Sequence, residues 1–194
     1  VENQLFNLIE KLTHNIDAII LQDYNKGVLT KNIIKKTISL ANNKNIPTIV
    51  DPKKQNFLLY KNCTLFKPNL KEIKDGLNLT DDINDFNEIE KTTSKLRDKI
   101  SAKAILLTLS NKGIFLNTNN RSQLTESTTT NVIDVSGAGD TVVSVAAMCL
   151  ACNIDFNELA ILSNIAGGIV CEKVGVVPIT NQELLDKAKK LLNV

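Results

Sequence analysis

Three apolar runs of strand length constrain this chain most: "IDAIILQ" (16–22), "IPTIVDP" (46–52) and "CTLFKPN" (63–69). Runs without polar alternation suit strands buried on both faces, the situation of a parallel sheet covered by helices. Between the first two lies "TKNIIKKTISLANNKN", whose Ile33, Ile34, Ile38 and Leu40 recur at helical spacing, with Thr30 placed to cap it. Ahead of them Leu5, Phe6, Ile9 and Leu12 predict an amphipathic helix. Strand–helix alternation of this kind builds βαβ units. The expected fold is α/β, with a mostly parallel sheet and helices on both faces.

The same alternation continues. "NLKEIKDGL" and "DINDFNEIEKTTSKLRDKI" predict a short and a longer helix, and "AILLTLS" with "GIFLN" predicts a hairpin around "NK". "NVIDV" (131–135) reads as a further strand, leading into a helix after Asp140. That helix, "TVVSVAAMCLA", carries no charge and is expected to be buried all round. "DFNELAILSNIAGGIVCEKVG" and "NQELLDKAKKLL" predict two closing helices. No repeat or low-complexity linker divides residues 1–194, which are expected to form one domain or most of one.

Several function classes fall away. A net charge of +2, 4% aromatic residues and no Trp offer neither a basic footprint nor stacking platforms for nucleic acid. No apolar run reaches the length of a membrane span, and the acidic, helical N-terminus is not a signal peptide. "CLAC" has C-x-x-C spacing but no second pair to complete a zinc site. The cysteines are expected to be reduced, in a cytoplasmic protein.

"SGAGD" (136–140) is the candidate site. Gly137 and Gly139 let backbone N–H groups approach an anion, and the start of the following helix adds partial positive charge. Asp140 could accept a proton from a substrate hydroxyl during phosphoryl transfer. An Asp favoured in the first helical turn by the macrodipole explains a bare G-x-G-D equally. The pattern is neither a Walker A loop nor a dinucleotide fingerprint.

The longer string "DVSGAGDTVVSVAAMCLA" resembles the D-T-x-G-A-G-D signature of the ribokinase-like (PfkB) carbohydrate kinases. Other matches follow in the family's order: "PNLKE" for N-x-x-E, "TLSNKG" for a phosphate loop, and "SNIAGGIVCEKVG" for the helix beside adenine. Within the family, "LQDYNKGVLT", "IPTIVDPK", "FKPNLKE" and "VCEKVG" are most similar to the kinases of lipopolysaccharide heptose synthesis. Those enzymes phosphorylate the C1 hydroxyl of D-glycero-D-manno-heptose 7-phosphate, on the way to ADP-heptose. The resemblance implies a three-layer α/β/α fold, ATP and Mg²⁺ as cofactors, a sugar phosphate as partner, and a homodimer in the full-length protein. Another sugar acceptor, or a nucleotide-binding module without catalysis, are the alternatives.

The resemblance further implies that Asp140 is the catalytic base and that the backbone of Gly137, Ala138 and Gly139 forms an anion hole. Asn69, Leu70, Lys71 and Glu72 would lie at the nucleotide, with Glu72 reaching Mg²⁺ through water; a capping box gives Glu72 a purely structural alternative. Thr108, Ser110 and Gly113 would meet nucleotide phosphates, although Ser110 stands where the family has glycine and a hairpin turn also explains "SNKG". Asn164 and Gly167 would border adenine, with helix packing as the alternative for Asn164. Asp23, Lys26 and Asp134 are candidate substrate contacts, "DYNKG" being equally a plain turn. The family's N-terminal signature and β-strand lid have no counterpart here. The chain is therefore expected to correspond to the C-terminal, nucleotide-side portion of such a kinase, with sheet edges exposed and inefficient turnover alone.

Overall fold

A computed structural model describes residues 1–80, 83, 85–129 and 131–192. The sheet runs in the order β1 (Ile19–Gln22), β2 (Thr48–Asp51), β3 (Leu65–Phe66), β4 (Ala104–Thr108), β5 (Ile114–Thr118) and β6 (Ser122–Thr125). Neighbours from β1 to β4 are parallel; β5 and β6 are antiparallel additions. Successive strands step in one direction, so right-handed crossovers put α2 (Lys31–Asn43), α3 (Leu70–Leu77) and α4 (Phe86–Ile100) on one face. There Ile34, Ile38, Ile73, Leu96 and Ile100 pack on Val50, Phe66, Ile105 and Leu107. The alternate strand residues Ile49, Leu65, Ala104 and Leu106 meet α5 (Ala138–Ala151) and α6 (Phe156–Cys171) on the other face. The expected three layers are present.

Local chemistry sets the helix starts. Thr30 caps α2, its hydroxyl accepting the Ile33 N–H at 3.2 Å. Asn69 and Glu72 close a reciprocal capping box on α3. Asp85 caps α4, which begins at Phe86; residues 82 and 84 of the longer expected helix lie outside the described residues. The N-terminal helix α1 (Glu2–Leu12) leans on α2 without burying a residue completely.

Two expectations need correction. "NVIDV" is not a strand: the N–H groups of Ile133 and Asp134 both reach the Cys171 carbonyl at the end of α6, at 2.8 and 3.3 Å, rather than a sheet neighbour. The strand in that region is β6, whose "SQLT" has no apolar run to announce it. Nor is α5 buried all round. It packs on β1, β2 and α6, leaving a stripe of Asp140, Ser144 and Met148, spaced by four residues, in solvent. Cys152 is likewise exposed and Cys171 half-buried, while Cys63 and Cys149 are core residues; all four are free.

The last helix, α7 (Asn181–Leu192), is pinned to the end of α6 by Lys173–Glu183 and Lys187–Glu172 ion pairs. The Lys173 hydrogen bond, followed by those from Thr180, holds the Glu183 carboxyl down at about 2 against an ordinary 4.5. A depressed carboxyl stabilises the fold above its unfolded pKa and loses that contribution as pH falls through the folded one. Acid loosening of α7 is therefore expected between pH 4.5 and 2. In Glu183→Gln, thermal unfolding midpoints should vary less with pH across that window; an unchanged slope would remove Glu183 as the cause.

Candidate active site

Parallel strands bring their carboxyl ends to one edge of the sheet, and loops there supply ligand contacts in open α/β folds. Gln22 and Asp51 end β1 and β2 as register partners, with side chains toward α5. Lys67 continues β3, its N–H bonded to the Val50 carbonyl at 2.8 Å, and Asn69 bridges to Thr108 at the end of β4. A cleft of about 940 Å³ opens along this edge, walled by α3, the β4–β5 turn, the start of α5 and the middle of α6.

The turn into α5 is built for open donors. Gly137 takes φ +79°, a left-handed value suited to glycine, and the Asp134 carboxylate holds the loop around it. One Asp134 oxygen accepts the Ser136 N–H and hydroxyl; the other accepts the Gly175 N–H. Those bonds, the Ser136 N–H first, keep its carboxyl below the ordinary range. Asp134 thus shapes the turn from below, and both of its oxygens are occupied. The Ala138 N–H is also taken, by the Val135 carbonyl at 3.2 Å. Among the described residues the N–H groups of Gly137, Gly139 and Asp140 have no recorded backbone partner. Of the expected Gly137–Gly139 set, only the Ala138 N–H is engaged.

Asp140 sits at the rim of that turn, exposed, with Oδ1 accepting the Gln22 amide at 3.1 Å. The same amide donates to Asp51 Oδ2 at 2.6 Å, and Asp51 Oδ1 pairs with the buried Lys67 ammonium at 3.0 Å. One amide thus ties the Asp140 carboxylate to a buried ion pair through Oδ1, and among the described residues Oδ2 has no recorded partner.

Beside this chain stand Asn69 and Glu72. Glu72 Oε2 accepts the Asn69 N–H at 2.9 Å, and Oε1 pairs with Lys53. Burial alone would lower the Lys53 pKa, but the Glu72 bond and the nearby carboxylates raise it above the ordinary value. The capping box is real, and the same carboxylate lines the cleft with Leu70 and Lys71. Among the described residues no three His, Cys, Asp or Glu side chains cluster as a metal cage. With both oxygens engaged, Glu72 fits Mg²⁺ held by phosphates and water, as that reluctantly dehydrating ion prefers.

At the other end Thr108, Ser110, Gly113, Asn164 and Gly167 all line the cleft. Ser110 itself takes φ +55° in the short 3-10 turn of residues 110–112. Gly113 has a reason independent of any ligand: a Cβ there would lie 2.1 Å from the Thr125 carbonyl oxygen. Asn164 donates to the Glu126 carbonyl at 2.7 Å, tying α6 to the segment after β6. Gly167 allows close packing of α6 on α5, since its Cβ would meet Val142 at 3.0 Å.

Asp23 and Lys26 lie apart from the cleft. Asp23 is buried, one oxygen accepting the Asn25 N–H and the other the Asn56 amide and Tyr60 hydroxyl. Burial first, then the bond to Asp23, pushes the Tyr60 phenol upward. Asp23 therefore anchors the loop after β1, and Lys26 projects into solvent from it.

The sequence pattern of the pfkB family of carbohydrate kinases matches residues 2–183. The chain belongs to this family. Among curated proteins it is 36% identical over 184 residues to the bifunctional protein HldE of Campylobacter jejuni strain RM1221, covering 95% of this chain and 39% of that protein. To the HldE of Pasteurella multocida strain Pm70 it is 38% identical, covering 93% and 37%. The chain thus spans less than half the length of these relatives. Phosphofructokinase-2 from Escherichia coli in complex with potassium shares the fold at TM-score 0.85 and 19% identity, over 98% of this chain and 62% of the other. Arabidopsis thaliana ribokinase complexed with ribose and ATP superposes at TM-score 0.76 and 17% identity, over 96% and 59%.

For this pfkB-family chain, sequence reading passed over Gln22, Asp51, Lys53 and Lys67. Each follows a short apolar run, where polar residues look like mere strand ends. The signal was that Gln22 and Asp51 end, and Lys53 and Lys67 closely follow, strands running in parallel, so the fold gathers them on one edge.

Proposed function

We propose that this chain carries the ATP site and catalytic base of a sugar kinase, working as one unit. The reaction moves the γ-phosphate of ATP to the C1 hydroxyl of D-glycero-D-manno-heptose 7-phosphate, in ADP-heptose synthesis. The observation that carries the reading is the α5 turn: N–H groups of Gly137, Gly139 and Asp140 without a backbone partner, beside a cleft lined by Ala138 and Gly139, with the exposed Asp140 carboxylate at the rim of the turn. The heptose acceptor rests on the sequence resemblance of "LQDYNKGVLT" and "VCEKVG" and on the similarity to HldE proteins.

In this reading Asp140 Oδ2 receives the hydroxyl proton as the acceptor oxygen attacks, while Gln22 fixes the other carboxylate oxygen. The open N–H groups of Gly139 and Asp140 stabilise negative charge on the moving phosphoryl group without reorganising. Glu72 and Asn69 would hold Mg²⁺ through water, and the ion would supply charge neutralisation at the phosphates.

Two measurements test the proposal. Calorimetry should show one ATP site per chain, and Glu72→Gln should lose most of the Mg²⁺-dependent part of the affinity. With labelled ATP, transfer to D-glycero-D-manno-heptose 7-phosphate should exceed transfer to fructose 6-phosphate. Equal or reversed preference would overturn the acceptor assignment.

A further inference from the structure

Lys67 is the most deeply placed cation in the cleft: its side chain is only 4% exposed, yet it lines the cavity. Holding an ammonium there is costly unless it is paired. Asp51 supplies a carboxylate, but that carboxylate is shared with the Gln22 amide. An ammonium has three donor hydrogens, and among the described residues Asp51 is the one partner recorded for it. On its other side lies the α5 turn, where a Cβ on Gly139 would stand 3.7 Å from Lys67 Nζ. The ammonium is thus set against the open N–H groups of a 14-residue helix, whose start is itself positive. Two positive features meet one shared buried carboxylate, and that balance favours an incoming anion.

We propose that Lys67 is a catalytic residue whose ammonium contacts the γ-phosphate of ATP and stays with it through transfer. The inference rests on the kinase reading above and adds to it the cation that the turn lacks. The bond between the acceptor oxygen and the γ-phosphorus forms as the bond from γ-phosphorus to the β–γ bridging oxygen breaks. The electron pair leaves on ADP, and the acceptor proton goes to Asp140. Lys67 keeps its own proton throughout and acts only through charge and hydrogen bonds, spreading over the equatorial oxygens as the phosphoryl group loosens. Its pairing with Asp51 fixes the ammonium, and the Asp51–Gln22–Asp140 bonds hold base and cation in one frame.

The test compares ATP with ADP, which lacks the phosphate Lys67 would touch. Lys67→Met alone would strand Asp51 in the interior, so it is paired with Asp51→Asn; circular dichroism and thermal unfolding verify the fold. Calorimetry on the intact chain with Mg²⁺ should show the double variant losing about tenfold or more in ATP affinity, as for a lost charge-assisted contact, with ADP affinity unchanged. Lys67→Arg should keep most of the preference for ATP over ADP. Parallel loss of both nucleotides, or no change in either, would overturn the assignment and leave Lys67 a structural partner of Asp51. If the unsubstituted chain binds neither nucleotide, the kinase reading itself fails and this inference with it.

Discussion

Asp140→Asn is expected to slow phosphoryl transfer by about 10²–10⁴-fold, the range for loss of a positioned base, while ATP affinity stays the same. The amide keeps the shape of the carboxylate and can still meet Gln22, but it has no oxygen basic enough to take a hydroxyl proton. Asp140 is exposed and helix α5 continues past it through buried Val142, Val143 and Ala146, so the substitution leaves the packing intact. The loss should therefore appear in kcat rather than in KM for ATP. Full activity in the Asn variant would show that Asp140 merely decorates the first turn of a helix. The carboxylate lies at the edge of the N–H pair and not inside it, which is why removal of a proton, and not binding of phosphate, is the step at risk.

Gly113→Ala is expected to give the largest loss of stability, roughly 3–5 kcal/mol, the size reserved for strain combined with a backbone clash. Gly113 has φ +98° and ψ −140°, a region essentially closed to side chains. The added Cβ would also lie 2.1 Å from the Thr125 oxygen and 2.6 Å from the Ser127 nitrogen. Both are backbone atoms, one in the last residue of β6 and one just beyond it, and they cannot swing aside as a side chain can. Relief requires pulling β5 from β6, whose register pairs Ile114 with Thr125. Urea unfolding should show a lower midpoint with a similar slope. A loss below about 1 kcal/mol, no more than an average substitution costs, would mean that the hairpin rearranges freely. Any effect on nucleotide binding would then have to be measured against this structural demand.

The parallel core was legible because burial on both faces leaves apolar runs that need no partner to be recognised, as in "IDAIILQ" and "IPTIVDP". Caps were legible too, since Thr30 and Asn69 act on backbone within three residues of themselves. β6 was not, because "SQLT" forms a strand through pairing with β5 and not through its own pattern. "NVIDV" misled for the converse reason: its strand-like residues spend their N–H groups on the end of α6. At the site, a local string singled out Asp140 and the glycines. The partners from other strands, Gln22, Asp51 and Lys67, depend on three-dimensional register and could not be read from neighbours in the chain.

The solvent-facing row of Asp140, Ser144 and Met148 bears on a competition that the proposed kinase reaction would have to win. A base open to bulk water has water itself as a rival nucleophile, present in vast excess over any sugar hydroxyl. Among the described residues Asp140 stands exposed, so in the proposed reaction selectivity for the sugar would have to come from whatever covers that row once the acceptor is bound. Bound alone, ATP would face slow hydrolysis, and the rate of that leak measures how well the row is covered.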